Sequence, residues 1–153
     1  MSQLISGLDE QFALIHRRSC ELIDEIPPAL LYRKTPVSNS SSGHSCGEQI
    51  LRSAAIVEQT FGGITANLWD DAFEWTLPEN LATCEKVRQY LDEVEATRRR
   101  GFELFHSDDD LMKEIMAPTG KTQLLTLLMD TIARAVHHQG NARITFEMMR
   151  PKN

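Results

Sequence analysis

Three stretches carry residue types that could do chemistry. The first is His137-His138-Gln139-Gly140-Asn141, near the end of the chain. Imidazole is the commonest protein metal ligand near neutral pH. A glycine inside a helix costs about 1 kcal/mol against alanine, so Gly140 implies that something close by needs the missing side chain. The second is Gly120-Lys121-Thr122, which has the end of a phosphate-binding loop. That loop requires another glycine five residues before Gly120, and a strand leading into it. Ile115 stands at the glycine position and no strand pattern precedes it, so the nucleotide loop is rejected. The third is the basic run Arg98-Arg99-Arg100, which reads as a solvated helix face. No His-Glu-x-x-His or Gly-x-Ser-x-Gly pattern occurs. Cys20, Cys46 and Cys84 are odd in number and lack metal-type spacing, so they read as buried or idle thiols of a reducing cytoplasm.

Helices must position these groups. Pro118 and Gly120 form a stop and a turn, with Thr122 as N-cap of a long last helix. From there Leu125, Leu128, Ile132, Ala135, Ala142, Phe146 and Met149 recur at helical spacing to Arg150, with Gln139 in one slot of the stripe. Residues 3–26 form a first helix with Leu8, Phe12, Ile15, Leu22 and Ile26 on one face and Ser19 among them. Pro27-Pro28 ends it. Leu30, Leu31 and Tyr32 tack the following connection to the core, and residues 38–43 make a flexible polar tip.

A second helix starts at Ser45, whose Glu48 three residues on completes a capping-box spacing. Ile50, Ala54, Val57, Phe61, Ile64 and Leu68 form its apolar side, and Gly62-Gly63 bends or ends it. Residues 69–75 read as an acidic, aromatic surface segment. A third helix is expected from Thr76 as N-cap to about His106, through Leu81, Cys84, Leu91, Val94, Phe102 and Phe105. Ser107 to Asp110 cap a short helix over 109–116. No alternating run reads as a strand. The expected fold is therefore all-α: an antiparallel four-helix bundle with long connections, one domain over residues 1–153.

The chain has 153 residues and a net charge of −6, which argues against a nucleic-acid partner. No run approaches the roughly 18 apolar residues of a membrane span, and the N-terminus has no signal-peptide pattern. A cytoplasmic protein is expected, and the glycosylation-type triplet Asn39-Ser40-Ser41 is discounted accordingly.

Residues 45–52, Ser-Cys-Gly-Glu-Gln-Ile-Leu-Arg, resemble the second-helix signature of the DinB/YfiT-like superfamily. Residues 117–122, followed by 134–141, resemble its fourth-helix signature. The resemblance implies a four-helix bundle, commonly dimeric, with a divalent ion such as zinc or nickel between the second and fourth helices. In that family one histidine comes from the second helix and a His-x-x-x-His pair from the fourth. Members with known chemistry activate a thiol for transfer to an electrophile or act as hydrolases.

Carried over position by position, the second-helix histidine is Arg52 and the first of the fourth-helix pair is Arg134. His138 alone survives, as a vestigial ligand, and Gln139-Gly140-Asn141 resembles the triplet that comes after it. Arginine has no free lone pair with which to ligate, and catalytic ions need about three protein ligands. His137 lies about 100° around the helix from His138 and is no easy substitute. No metal cofactor is therefore expected.

Two arrangements remain open. Arg52, Arg134 and His138 could converge, with Asn141, as a site for a small anion. Alternatively Glu48–Arg52 and Asp130–Arg134 are surface i,i+4 ion pairs, which the position of Arg52 nearly opposite Ile50, Ala54 and Phe61 favours. His138 is partly buried in either case. The expected function is that of a small-molecule binder, anions included, or a homodimeric protein without metal chemistry, the alternative being a thiol-dependent S-transferase or metal-dependent hydrolase.

Overall fold

The computed structural model describes residues 2–35, 44–71 and 76–152. The polar tip at 38–43 and residues 72–75 of the aromatic segment lie outside the described residues. Helix α1 spans Gln3–Glu25 and opens where the Ser2 hydroxyl accepts from the Ile5 amide at 3.1 Å. It buries Ile5, Leu8, Phe12, Ile15, Ser19 and Leu22, the three- and four-residue spacing of its stripe. The chain turns extended at Ile26, before Pro27, and makes one 3-10 turn over Pro28–Leu30. Leu30 and Leu31 are buried, and the Tyr32 hydroxyl donates to the Leu81 carbonyl at 2.5 Å, so this connection is tacked down as expected.

Helix α2, Cys46–Ala66, starts on the capping box read from the sequence: Ser45 accepts from the Glu48 amide and Glu48 from the Ser45 amide. Gly62-Gly63 does not end it, since the helix runs on to Ala66. A Cβ on Gly63 would lie 2.2 Å from the Trp69 indole, so the glycine makes room for that ring. The helix closes at Asn67 in the left-handed conformation.

Helix α3 spans Cys84–Phe102 and starts seven residues later than Thr76 as N-cap would place it. Its cap is Thr83, which accepts from the Lys86 amide at 3.1 Å. Both threonines are competent caps, but the Tyr32 bond holds the Leu81 carbonyl outside any helix. Arg98 corrects the solvated-face expectation: it is 1% exposed. Leu91, Val94, Arg98, Phe102 and Phe105 succeed one another at three- and four-residue steps, so Arg98 occupies a slot of the apolar stripe itself. Arg99 and Arg100 are exposed.

Helix α4 is only Asp108–Met112. Then comes a hairpin the sequence did not announce: β1, Glu114–Ala117, pairs antiparallel with β2, Gly120–Gln123, with Ala117 opposite Gly120. The two-residue loop Pro118-Thr119 lacks the Asn-Gly type of signal, and Gly120 supplies the positive φ of 117° that closes it. Helix α5, Leu124–Met149, begins directly after β2. Thr122 is therefore in a strand rather than a cap; the first α5 amide, Leu124, is satisfied by the Lys113 carbonyl at 2.9 Å.

The four long helices pack in a ring: α5 along α2, α2 against α3, α3 against α1, and α1 against α5. Their apolar faces meet in one core. The buried Gln139 ties α5 to α1, its amide donating to the Ile15 carbonyl at 2.7 Å and to the Ser19 hydroxyl at 2.8 Å. Those two polar slots in apolar stripes thus answer each other. Among the described residues no helix is long and apolar enough to cross a membrane.

Candidate functional site

The pairing of α2 with α5 is the most extensive in the molecule and is lined with small and hydroxyl-bearing residues. The Ser53 hydroxyl donates to the Ala135 carbonyl at 2.8 Å. The Thr131 hydroxyl donates to the Leu127 carbonyl at 2.8 Å and accepts from Thr60 at 2.7 Å. These short side chains let the two helices approach closely while every buried hydroxyl finds a partner. Because α2 also packs on α3, it is buried on more than one side. Arg52, nearly opposite Ile50 on the helix, is therefore half-buried rather than fully solvated.

Arg52, Arg134 and His138 line one cavity of about 120 Å³, together with Ala55, Ile56, Gln59 and Asp71. These three residues thus border the same cavity, which the sequence had left open against the favoured alternative of surface ion pairs. Asn141 is not part of it; its amide lies 3.3 Å from Nε2 of the exposed His137. Of the two expected ion pairs, Arg134–Asp130 is formed at 2.9 Å. The Glu48 carboxylate accepts from the Ser45 amide at 2.8 Å and faces His44 at 3.7 Å.

His138 is fixed by Gln49, whose Oε1 lies 2.8 Å from Nδ1. A carbonyl oxygen only accepts, so Nδ1 carries the proton and Nε2 keeps its lone pair. The imidazole titrates below its usual range. Burial is the main cause, and the nearby His137, Arg52, His44 and Arg134 add positive potential.

A second cavity of about 320 Å³ adjoins the first and shares Gln59 and Arg134 with it. Its walls are Thr60, Trp69, Leu127 and Asp130, closed at one end by Ala117, Pro118 and Thr119 of the hairpin. Trp69 is held by three contacts: the notch at Gly63, a bond from Gln59 Nε2 to its carbonyl at 2.8 Å, and its own indole N–H donating to Asn67 Oδ1 at 3.1 Å. Sequence reasoning overlooked Gln49, Gln59 and Trp69. The signal present was Gly63 six residues before a tryptophan, which was read as a helix break. Gly140 also departs from expectation. It is exposed, and a Cβ built on it meets no heavy atom within 4 Å, so nothing inside the fold requires its missing side chain.

The donor set of the α2–α5 cavity does not fit a divalent cation. His138 offers one nitrogen, and two permanent guanidinium charges share the lining. Burial raises the three thiols above their ordinary range, Cys20 to about 11, Cys46 to about 12 and Cys84 upward, so without a bound cation they stay protonated.

No protein-family model matches the chain, and no curated protein matches it.

Proposed function

We propose that the cleft between α2 and α5 binds a small molecule with an anionic head group and an apolar body, and that the chain is a metal-free member of the DinB/YfiT-like bundles. The observation that carries this is the meeting of Arg52, Arg134 and His138 on one cavity that opens beside a Trp69- and Leu127-walled one. Two guanidinium groups and an imidazole suit a carboxylate, sulfonate or phosphate. Asp71 in the same lining and the Asp130 partner of Arg134 offset part of that charge, which favours a singly charged head such as a carboxylate over a dianion. The combined space falls in the range of small-molecule sites, about 300–1,000 Å³. The two sequence signatures and the ring of four long helices support the family assignment. The S-transferase or hydrolase alternative would need a divalent ion at His138, for which the surrounding donors are unsuited.

A thermal-shift titration with benzoate and with sulfate at constant ionic strength tests this. Stabilisation should follow RT ln(1 + [L]/Kd), reaching about 2.7 kcal/mol at a hundredfold excess over Kd. Benzoate should outperform sulfate. The effect should vanish in Arg134→Leu, whose loss of the exposed Asp130 pair is itself minor. Equal shifts in wild type and Arg134→Leu would place the anion elsewhere and sink the proposal.

The pH dependence is set by His138. Its folded pKa lies below the ordinary histidine value of 6.5, so the ligand-free folded state binds fewer protons than the unfolded chain. His138 therefore stabilises fully above pH 6.5 and progressively less as pH falls toward its folded pKa. A bound anion favours the imidazolium. Benzoate should consequently bind more tightly at pH 6 than at pH 8, and His138→Gln should remove that difference.

The homodimer is favoured by one further observation. Met129, Val136 and Ile144 lie along the outward side of α5, 58%, 43% and 61% exposed, with the open Gly140 between the last two. A second copy pairing there could approach closely at Gly140. Sedimentation velocity should give a dimer for wild type and a monomer for Val136→Glu; a wild-type monomer at tens of micromolar, or a dimer unaffected by Val136→Glu, contradicts it.

A further inference from the structure

On the face opposite the α2–α5 cleft, α1 and α3 bring together a different donor set. His16 and Cys20 are one helical turn apart on α1, and Asp92 reaches them from α3. His16 Nε2 lies 3.3 Å from Asp92 Oδ1 and 3.6 Å from Cys20 Sγ; its Nδ1 is 3.8 Å from the same sulfur. One donor atom from each of the three residues lies within 4.8 Å of the other two. Among the described residues this is the one group of three potential metal donors of its kind.

We propose that His16, Cys20 and Asp92 form a surface site for a borderline divalent cation, zinc in the first instance. The separations fit the ion. With Zn–N, Zn–O and Zn–S bonds of about 2.05, 2.1 and 2.3 Å, the edges of a tetrahedron are about 3.4 Å for N···O and about 3.6 Å for N···S. Two observed separations already have these lengths. The third edge closes by rotation of Asp92, whose side chain is 57% exposed and would exchange its contact with Arg88 for the ion. The half-buried imidazole and buried thiol form the rigid wall, and the fourth position faces water, the arrangement of three protein ligands with one open site.

The charges also balance. Binding displaces the Cys20 proton to solvent, and the thiolate with the Asp92 carboxylate offsets the dication. Arg88 is the competing cation, its Nε 3.8 Å from Asp92 Oδ1. Its Nη1 is held at 2.7 Å by both oxygens of Asp24, so Arg88 keeps a counter-ion when Asp92 turns to the metal. Thiolate, imidazole and a single carboxylate favour zinc over magnesium or calcium, which take oxygen ligands.

Cobalt is the probe, because thiolate and tetrahedral coordination both give it diagnostic absorption. Co2+ added to reduced, tag-free, full-length protein should produce a thiolate-to-metal charge-transfer band and intense d–d bands. These should saturate at one ion per chain and be abolished by Zn2+. Cys20→Ala should remove the charge-transfer band. Asp92→Asn, at an exposed position that leaves the fold intact by circular dichroism, should weaken binding at least tenfold, the scale set by loss of even outer-shell partners at metal sites, roughly 10–100-fold. Cys84→Ala and His138→Ala should bind as wild type does; the latter separates this site from the α2–α5 cleft. Zn2+ should also slow alkylation of Cys20. A band that survives Cys20→Ala, binding lost with His138→Ala, or no band at micromolar protein and metal overturns the assignment.

Discussion

Replacing Glu95 by alanine is expected to destabilise the protein by about 3 kcal/mol, because it strips a buried guanidinium of its main counter-ion. Arg98 is 1% exposed and Glu95 8%. Their contact is two-pronged, Nη2 to Oε1 at 2.5 Å and Nε to Oε2 at 3.2 Å. Asp9 of α1 takes the remaining Arg98 Nη1, and the guanidinium sits 5.1 Å from the Phe102 ring centre. The cluster thereby clamps α1 to α3. Loss of one partner of a buried pair typically costs 3–5 kcal/mol. The lower end applies here because Asp9, 40% exposed, still faces Arg98. In a domain of this size that is a fall in melting temperature of roughly 6–12 °C. The double variant Glu95→Leu, Arg98→Met should recover most of the loss, since an apolar replacement of a buried ion pair is often neutral or better. A cost under about 1 kcal/mol for Glu95→Ala would show that water reaches Arg98 and screens it.

Phe61→Ala should cost about 3–5 kcal/mol, the usual range for deleting a buried aromatic ring. Phe61 is fully buried on α2. Its ring meets Phe12 of α1 edge-on at 5.2 Å and Phe102 of α3 at 5.7 Å, so three helices meet on it. Its fit is fixed by Gly101, where a Cβ would lie 2.5 Å from the Phe61 ring. The surrounding rings are held from three sides and cannot collapse into the space, which places the loss near the top of the range. Phe61→Leu fills most of the volume and should cost less than half as much. Urea denaturation with an unchanged m-value is the measurement. A loss below about 1.5 kcal/mol for Phe61→Ala would mean that the aromatic cluster repacks freely.

Some of this was legible in the sequence because the relevant forces are local. Ser45 and Glu48 form a capping box through bonds spanning three residues, and nothing elsewhere in the chain alters that. Pro27-Pro28 stops α1 for reasons internal to proline. The stripes of α1 and α5 are set by helical period, which is why even their polar members, Ser19 and Gln139, were placed inward and found each other. Arg98 was legible too: it sits four residues from both Val94 and Phe102, and the charge of its neighbours concealed the period.

Other features depended on contacts between segments distant in sequence. Thr76 reads as the cap from local sequence alone, but the observed cap is Thr83, and Tyr32, 49 residues before Leu81, takes the Leu81 carbonyl just ahead of it. The hairpin at 114–123 has four-residue strands too short for an alternation signal, and it is secured by the Lys113–Leu124 bond and its own ladder. The choice between surface ion pairs and a converging site could not be made from α2 alone. One apolar stripe implies one buried face, and on that basis Arg52 points to water. Only the packing of α2 against both α3 and α5 gives the helix a second buried side and brings Arg52 to Arg134 and His138. Local chemistry determined where the helices begin and what their inner faces hold; the number of neighbours each helix acquired decided which of its charges face a cavity.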